Sequence, residues 1–455
     1  MQNPSHVHFE SALLPEGWAR DVRVGIVDGS IASVERGVAV QSGDESASVG
    51  LPGIANVHSH AFQRGMAGLT EYRGPNADSF WTWRELMYRF VGRLTPDDAE
   101  AFAAQAYMEM LEAGFTRVGE FHYLHHDPSG RPYADLAEMA ARVVAAAEQS
   151  GIALTLLPVF YAHSGFGGKA PSEGQRRFIC GVDQYGRLME SSRKLVAPLA
   201  HSTVGIAPHS LRAVTPDELS AVQPLAGDGP VHIHAAEQIR EVEDCVAWSG
   251  MRPVEWLLNH AGIDRRWCLV HATHMTEAET ARFAASGAVA GLCPITEGNL
   301  GDGVSPATGF LGGGGTFGIG TDSNVLISVA QELRQLEYTQ RLRDRMRNVL
   351  AGGPNRSTGR TLFDAALNGG AQSMGLRAGI EVGAPADMFS LATGNAIFAG
   401  RAGDQLLDTF IFAGGDRCID RVWRAGRRVV TGGRHVHRES TEARYRASLA
   451  RLLQT

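Results

Sequence analysis

Eight short apolar segments alternate with stretches of helical periodicity through the middle of the chain. The segments lie at residues 51–60, 116–121, 152–160, 203–207, 231–235, 268–271, 288–293 and 317–321. Between them, for example at 96–112, 133–149 and 277–285, apolar residues recur every three or four positions, which is typical of amphipathic helices. Eight strands that alternate with helices predict an α/β fold, a (β/α)8 TIM-type barrel, with a doubly wound open sheet as the alternative.

The two ends of the chain have a different pattern, which indicates a small β domain. Residues 22–27 and 31–34 are apolar runs on either side of Asp28-Gly29, a dipeptide typical of hairpin turns. Residues 380–391 and 421–430 also read as strands with glycine-centred turns. A hairpin alone has no room for a core, so we expect the two ends to pack together. The predicted boundaries are 1–51 and 373–455 for a small β-sandwich domain and 52–372 for the barrel.

Composition narrows the class of protein. The chain has 455 residues, 44% of them hydrophobic, and a formal net charge of −7 at pH 7. That charge argues against a general binder of nucleic acid or anionic membranes, and no apolar run approaches the 18 residues of a membrane span. The five cysteines are dispersed and form no Cys-x-x-Cys, and the N-terminus has no basic region followed by an apolar core. We therefore expect a cytoplasmic protein with reduced thiols.

A glycine run at 312–315 contains the spacing G-x-G-x-x-G, at Gly313, Gly315 and Gly318. A dinucleotide-binding fingerprint follows a strand and opens a helix, whereas this run precedes the strand predicted at 317–321. We interpret the run as a flexible loop, and nucleotide binding is poorly supported.

The first barrel strand ends in the sequence LPGIANVHSH, which places His58 and His60 at its carboxyl end. Residues i and i+2 of a strand point to the same face, so the two imidazoles leave the strand together. Neutral imidazole is a good zinc ligand, but His-x-His alone is a weak signal in a chain with 17 histidines. The motif alone fits either a metal site or a hydrogen-bonded pair.

Other strand ends supply further candidates, because the carboxyl ends of barrel strands converge on one mouth. His234 lies near the end of strand 5 and Glu237 follows it, His271 ends strand 6 and Asp322 follows strand 8. With the pair on the first strand, three imidazoles and the Asp322 carboxylate form a candidate ligand set for one divalent metal. Glu237 and His271 then stand beside the metal as candidates for acid–base catalysis.

Each of these residues also has an ordinary structural explanation. His234 could be a hydrogen-bonded core histidine, since His232 lies on the same strand face, and Glu237 suits the start of a helix. His271 could bond a backbone carbonyl, and Asp322 could be a helix N-cap. The metal-site interpretation is preferred because chance would rarely place such residues together at the ends of strands 1, 5, 6 and 8.

Longer motifs carry a family resemblance. LPGIANVHSHAFQRG, the HIHAAEQ around His234, the GIGTDS around Asp322 and the C-terminal GIEVGAPADMFSL resemble the amidohydrolase superfamily, specifically its aminohydrolase (deaminase) branch. Further segments make the chain most similar, within that branch, to the formimidoylglutamate deiminases. These segments are HAFQRGMAGLTEYRG, SFWTWRELMYRF, GEFHYLHH, APHSLRAV and LCPITEGNLGDG. The resemblance covers nearly the whole chain.

The Cys-Pro motif at 293–294 separates this chain from relatives that act on nucleobases. The resemblance leads us to expect an Asn and a Ser in the motif of those relatives, whereas this chain has Thr296-Glu297 and then Asn299. Two departures are small: Ile295 and Gly298 stand where Thr and Ala would be expected.

The resemblance implies one zinc ion per chain. Binuclear members of the superfamily bridge two metals with a carbamylated lysine at the end of the fourth strand. Here strand 4 ends at Ala207-Pro208-His209, and the two lysines of the chain, Lys169 and Lys194, lie at no predicted strand end. A single metal, held by three histidines and an aspartate, is therefore expected.

The chemistry implied is hydrolysis of N-formimino-L-glutamate to N-formyl-L-glutamate and ammonia, a step of histidine degradation. A single open-site zinc lowers the pKa of its bound water from 15.7 to roughly 7, and Asp322 can accept the released proton. Glu237 can protonate the imino nitrogen of the amidine-like group, and His271 can polarise or steady the tetrahedral centre.

This substrate carries two carboxylates, which arginine recognises by bidentate pairing. Arg84 and Arg212 are the best candidates, with Gln63, Tyr123 and His209 as supporting donors; all five lie in the family-like segments. A surface position on a helix at 80–90 is the ordinary explanation for Arg84. We also expect a homodimer.

Two alternatives remain at this stage. A deaminase of a purine- or pterin-like ring would share the mononuclear zinc site, but it would need aromatic stacking surfaces and fewer cations at the mouth. A metal-free scaffold on the same fold would be expected to lack some of the ligands, and this sequence contains all of them.

Overall fold

The computed structural model describes residues 5–74 and 78–454. Its strands are β1 His6–Leu14, β2 Gly17–Val27, β3 Ser30–Glu35, β4 Glu45–Pro52, β5 Ile54–Ser59, β6 Phe115–His122, β7 Ala153–Phe160, β8 Thr203–Val204, β9 Ala207–Pro208, β10 Val231–Ala235, β11 Trp267–His271, β12 Val289–Leu292, β13 Thr316–Ile319, β14 Met388–Leu391, β15 Ile419–Arg424, β16 Arg427–Thr431 and β17 Arg434–His435.

The α-helices are α1 Phe80–Val91, α2 Pro96–Glu112, α3 Glu138–Ser150, α4 Val182–Val196, α5 Pro216–Val222, α6 Ile239–Ser249, α7 Pro253–His260, α8 Glu277–Ala285, α9 Pro294–Leu300, α10 Ala307–Gly312, α11 Val329–Asp344, α12 Thr358–Ser373, α13 Asp404–Thr409 and α14 Arg438–Leu453.

Local sequence sets several helix starts. At α2, Thr95 and Asp98 form a capping box, in which each side chain bonds the other residue's backbone N–H, and Pro96 occupies the first helical position. A capping box between Thr276 and Glu279 also opens α8. Both helices match the predicted 96–112 and 277–285 in full, because capping chemistry and apolar spacing agree there.

A parallel barrel forms the centre of the molecule. Its strands pair in the order β10-β11-β12-β13-β5-β6-β7-β8, with β9 on β7. Isolated parallel bridges, Ile206 with Val231 and Ser210 with His234, join the fourth strand position to β10 and close the ring. The predicted (β/α)8 barrel is therefore confirmed, and the open-sheet alternative is wrong.

The fourth strand position is less regular than the sequence suggested. The run predicted at 203–207 forms two short pieces, β8 and β9, with Gly205 between them. A side chain at Gly205 would lie 2.5 Å from the carbonyl oxygen of Pro230. The backbone of the neighbouring strand thus approaches too closely for a regular apolar strand residue.

The ends of the chain form one sheet, in the order β17-β16-β15-β14-β4-β1-β2-β3. Phe9 on β1 and Trp423 on β15 are three strand positions apart, yet their ring centroids are 5.7 Å apart. Both rings belong to a buried apolar cluster with Val24 of β2, Ile31 of β3 and Met388 of β14. The two ends of the chain therefore share one core, as predicted.

Two sequence boundaries were wrong. The strand predicted at 380–391 is confined to β14, because Gly383 has a left-handed φ of 87° and Pro385 has no N–H to donate. The helix predicted at 133–149 begins only at Glu138. The glycine run at 312–315 connects α10 to β13, before a strand as expected.

Helices α12 and α14 pack closely on the barrel. On α12, Gly369 approaches β13 so closely that an added Cβ would lie 2.0 Å from the carbonyl oxygen of Phe317. On α14, Arg444 pairs with Glu100 of α2 at 2.7 Å, so the C-terminal helix packs on the barrel. We propose that the sequence boundaries, 52–372 for the barrel and 1–51 with 373–455 for the sheet domain, divide two units, which the Arg444–Glu100 contact joins.

No helix in residues 5–74 and 78–454 has the length and apolar character needed to cross a membrane.

Candidate metal and substrate site

Three imidazoles and one carboxylate meet at the carboxyl ends of the barrel strands. His58 Nε2 lies 3.2 Å from His60 Nε2, 3.1 Å from His234 Nε2 and 3.2 Å from Asp322 Oδ1. His60 Nε2 lies 3.3 Å from the same Asp322 oxygen. The strands position these groups: His58 is on β5 and His60 follows it, β10 carries His234, and Asp322 follows β13.

The spacing of these four side chains fits a zinc ion. Four ligands at about 2.0–2.1 Å from a tetrahedral zinc lie about 3.3–3.4 Å from one another. The measured separations of 3.1–3.3 Å agree. Hydrogen bonds from Nδ1 of His60 to the Phe121 carbonyl and from Nδ1 of His234 to the His209 carbonyl, both 2.9 Å, leave each Nε2 lone pair facing the cluster.

Burial favours the protonation states in which these four side chains can bind a cation. It lowers the pKa of His58 to about 3, although Asp322 opposes the shift, and it lowers the pKa of His60 and His234 as well. Burial would raise the pKa of Asp322, but its hydrogen bond to His58 and the nearby imidazoles bring it below its ordinary value. Neutral imidazoles and an ionised carboxylate are the forms that bind a divalent metal.

A buried polar network holds the Asp322 backbone in place. Asp322 has φ 44°, in the left-handed region. Asn324 Nδ2 donates to the carbonyl oxygens of Asp322 at 3.0 Å and His60 at 3.1 Å, and Thr321 Oγ1 donates to Asn324 Oδ1 at 2.6 Å. This network links β13 to β5 and fixes an unfavourable conformation at a ligand.

Glu237 and His271 lie beside the cluster. His271 Nε2 is 3.7 Å from Glu237 Oε1 and 3.9 Å from Asp322 Oδ2. Burial raises the pKa of Glu237 to about 7, against the charges of His271 and Arg212. Burial alone would lower the pKa of His271, but the charges of Glu237 and Asp322 and a hydrogen bond to Glu297 raise it to about 10. Glu237 can thus gain or give up a proton near neutral pH, whereas His271 keeps its proton there.

One cavity of about 550 Å³ opens over these groups. Of the eleven candidate site residues from the sequence, all except the deeper His58 line it. The lining consists of His60, Gln63, Phe80, Trp83, Arg84, Met87, Tyr88, Tyr123, Tyr161, Phe178, His209, Arg212, His234, Glu237, His271, Leu300 and Asp322.

Two arginines contribute positive charge to the cavity. Arg212 Nη2 is 3.6 Å from Glu237 Oε2 and 3.9 Å from Glu241 Oε2. The Arg84 guanidinium stacks over Trp81, 4.7 Å from its ring centroid. In the described part of the chain, Nε of both arginines is buried without a hydrogen-bond partner. These donors remain available to an anionic ligand.

The remaining predicted donors line the same wall. Gln63 Nε2 donates to Tyr123 Oη at 2.8 Å, which orients both side chains. Burial and then the charges of Arg212, His60 and Arg84 hold the pKa of His209 well below its usual range, so it is neutral. The structure therefore brings together all five residues expected to contact substrate.

Two carboxylates, Glu241 and Glu297, and the aromatic side chains apart from Tyr123 that line the cavity were not assigned a role from the sequence. Glu241 Oε1 and Oε2 accept the N–H groups of Ala236 and Glu237 at 3.0 and 3.2 Å, and Glu297 contacts His271. Both carboxylates come from helices rather than strand ends, so the strand-end rule could not find them. In the sequence, Glu297 stood out only as part of Thr296-Glu297, which distinguishes the Cys-Pro motif of this chain from that of relatives acting on nucleobases.

The lysines lie where the sequence placed them. Lys194 is on α4, exposed and paired with Glu190 at 2.7 Å, and Lys169 is exposed in the loop after β7. Neither can bridge two metals at the barrel mouth, which supports a mononuclear site.

A closed parallel barrel with this cluster defines the class of metal-dependent barrel hydrolases. A model of the Amidohydrolase family matches residues 49–429, and a model described as "Formimidoylglutamate deiminase HutF, N-terminal domain" matches residues 5–48. A formimidoylglutamate deiminase from Pseudomonas aeruginosa is 53% identical over 452 residues, covering 99% of this chain and 100% of its own. The chain therefore belongs to the formimidoylglutamate deiminase family of amidohydrolases.

Solved structures agree with this assignment. The crystal structure of an amidohydrolase from Brucella melitensis has a TM-score of 0.95 and 56% identity, covering 98% of this chain and 99% of that one. An adenosine deaminase from Xanthomonas campestris, solved with bound zinc, has a TM-score of 0.80 at 22% identity, covering 99% of this chain and 98% of that one. At that identity the second structure supports the fold alone.

Proposed function

We propose that the protein is a cytoplasmic, zinc-dependent deiminase that converts N-formimino-L-glutamate and water to N-formyl-L-glutamate and ammonia in histidine degradation. The observation that carries the proposal is the cavity itself. It combines a zinc-compatible cluster, an acid–base pair and two arginines with unpaired donors. The 53% identity to a formimidoylglutamate deiminase supports the same substrate.

His58, His60, His234 and Asp322 would hold one zinc ion per chain. When bound, zinc supplies a Lewis acid that activates water for attack near neutral pH. Asp322 is then both a ligand and a base: Oδ1 faces the histidines, while Oδ2 is directed toward His271 at 3.9 Å. That second oxygen can accept a proton from the attacking water.

Glu237 and His271 act on the substrate. The raised pKa of Glu237, about 7, lets the carboxyl hold a proton near neutral pH and give it to the leaving nitrogen. His271 Nε2, between Glu237 and Asp322, can donate to the oxygen that develops charge at the former formimino carbon. Asp322 then passes the proton taken from water to the same nitrogen, and the hydroxyl of the tetrahedral centre returns a proton to Glu237 as the bond from carbon to the terminal nitrogen breaks and ammonia leaves.

Arg84 and Arg212 are proposed to bind the two carboxylates of the glutamate part. Gln63, Tyr123 and His209 would add neutral donors along the same wall. Aromatic side chains at Trp83, Tyr88 and other positions also line the cavity, as a ring substrate would require. The two guanidinium groups argue for a dianion instead, because a neutral ring would leave their buried donors unpaired.

The proposal includes a homodimer. Sedimentation equilibrium measures it directly, and a monomer at micromolar concentration would contradict it.

The function is tested by incubating zinc-loaded protein with N-formimino-L-glutamate and measuring ammonia and N-formyl-L-glutamate, with adenosine and guanine as comparison substrates. We expect equal amounts of both products, and no ammonia from either purine. Ammonia from a purine with none from the formimino compound would overturn the proposal.

A further inference from the structure

Glu297 is a buried carboxylate that contacts His271 from the side away from the metal cluster. Its Oε1 atom lies 3.3 Å from His271 Nδ1 and accepts the backbone N–H of Cys293 at 2.9 Å. The side chain of Glu297 is 6% exposed and that of His271 is 1% exposed. Solvent therefore competes little for either group.

The chemistry of this contact fixes which ring nitrogen faces the cavity. A carboxylate oxygen only accepts hydrogen bonds, so His271 Nδ1 must carry a proton to bond Glu297. The other nitrogen, Nε2, has no hydrogen-bond partner within residues 5–74 and 78–454 and points between Glu237 and Asp322. Whatever the charge of the ring, Nε2 is the atom presented to a ligand.

The backbone alone does not secure this orientation. His271 and Ala272 have φ values of 68° and 48°, in the left-handed region, so the strand ends in an unfavourable turn. An imidazole can still rotate about its last torsion and exchange its two nitrogens. An acceptor at Nδ1 prevents that exchange.

We propose that Glu297 is a positioning residue for His271, which keeps Nδ1–H on the carboxylate and Nε2 on the reacting group. The inference rests on the proposed function only for the statement that His271 acts on the substrate. Glu297 itself lines no part of the cavity and touches no reacting atom.

The competing explanation is that Glu297 only stabilises the start of α9, where it accepts the Cys293 N–H. The chain offers a matched control for that role. Glu332, on α11, is buried and accepts the backbone N–H of Ile295, which is on α9, at 3.0 Å. Among the described residues, no hydrogen bond or ion pair joins Glu332 to His271. A purely structural role predicts similar behaviour for both carboxylates.

The experiment compares Glu297→Ala, Glu297→Gln and Glu332→Ala as zinc-loaded proteins. Loss of a partner that orients an active-site histidine typically costs about 10–100-fold in activity. We expect that loss in kcat for Glu297→Ala, with KM and zinc content little changed, and a kcat within about threefold of wild type for Glu332→Ala. Glu297→Gln should recover most of the loss, because the Cys293 N–H holds the amide oxygen at the Oε1 position.

A double-mutant cycle identifies the route of the effect. In a His271→Asn background, measured in single turnover with enzyme in excess, adding Glu297→Ala should cost almost nothing, since its partner is gone. A full 10–100-fold further loss there, or equal kcat for Glu297→Ala and wild type, would overturn the inference.

A readout without substrate separates this inference from the proposed function. The crystal structure of zinc-loaded Glu297→Ala should show the His271 ring rotated or in more than one orientation; an unchanged ring would contradict the positioning role. If the wild type released no ammonia, the proposed function would be contradicted instead. The orientation of the His271 ring in Glu297→Ala would still decide whether Glu297 positions it.

Discussion

At the scale of single residues, the site depends on burial. Desolvation lowers the pKa values of His58, His60 and His234, and it raises the pKa of Glu237 to about 7. The same burial therefore keeps the three histidines neutral for metal binding and allows Glu237 to act as an acid. Arg212, within 3.6 Å of Glu237, limits how far the pKa of that acid rises.

Glu237→Gln should retain the metal and lose turnover. Glutamine keeps the shape of the side chain but cannot supply a proton, and a general acid–base group is worth about 10²–10⁴ in rate. Turnover and metal content of the purified variant are the measurements. If the variant lost its metal, Glu237 would be a ligand and not an acid.

Arg84→Met and Arg212→Met should each weaken substrate recognition. Removing a charged hydrogen bond costs about 1.5–3 kcal/mol, which is about 10- to 150-fold in kcat/KM. Steady-state kinetics with N-formimino-L-glutamate measures the loss. Wild-type kinetics in either variant would remove that arginine from the proposed site.

Much of the site was predictable from the sequence because its main residues follow strands. His58, His234 and Asp322 were found by asking which side chains leave the carboxyl ends of barrel strands. Glu241 and Glu297 could not be found this way, since they reach the site from helices, and a helical carboxylate has many other uses. The roles of all these residues stay predictions until variants are measured.

At the scale of elements, the predictions succeeded where local signals agreed. Helix α2 has a capping box, a proline at its first position and regular apolar spacing, and its bounds were predicted in full. The segment before β14 has apolar residues but also Gly383 and Pro385, and there turn chemistry prevailed over strand propensity. The sequence pattern also could not show how closely α12 approaches β13.

That close approach gives a stability prediction. Gly369→Ala should destabilise the protein by about 1–3 kcal/mol, because the new Cβ would meet the Phe317 carbonyl at 2.0 Å and displace the strand that leads to Asp322. The free energy of unfolding in urea is the measurement.

Gly186→Ala is the matched control for this substitution. Gly186 lies inside α4 with nothing within 4 Å of an added Cβ, so alanine should leave stability unchanged or raise it by about 0.5–1 kcal/mol. Equal stability of both variants and the wild type would show that α12 can shift without cost.

At the scale of the whole molecule, the sheet domain and the barrel are continuous through β4 and β5. Pro52 ends the last strand of the N-terminal part of the sheet, and Ile54 begins the first barrel strand, which carries His58 and leads directly into His60. The fold thus anchors His58 and His60 directly to the sheet domain. Gly53, between the two strands, leaves no space for a side chain, since an added Cβ would lie 2.3 Å from Thr116 Oγ1.

One divalent metal per chain is the expectation at this scale, most simply zinc. Elemental analysis should give one equivalent, chelation should abolish activity, and zinc should restore it. His234→Ala should lose both metal and activity, because the cluster retains only three donors. Two equivalents, with activity that follows the second, would contradict the mononuclear site.

The central claim is that water attacks the formimino carbon and that Glu237 protonates the terminal nitrogen. Arg84 and Arg212 would bind the carboxylates of the glutamate end, and the formimino group would lie between Glu237 and the metal cluster with its terminal nitrogen toward Glu237. NMR with substrate labelled with ¹⁵N at that nitrogen follows its fate directly. The account predicts that the label appears in ammonia, with unlabelled N-formyl-L-glutamate; label in formamide, with release of glutamate, would contradict it.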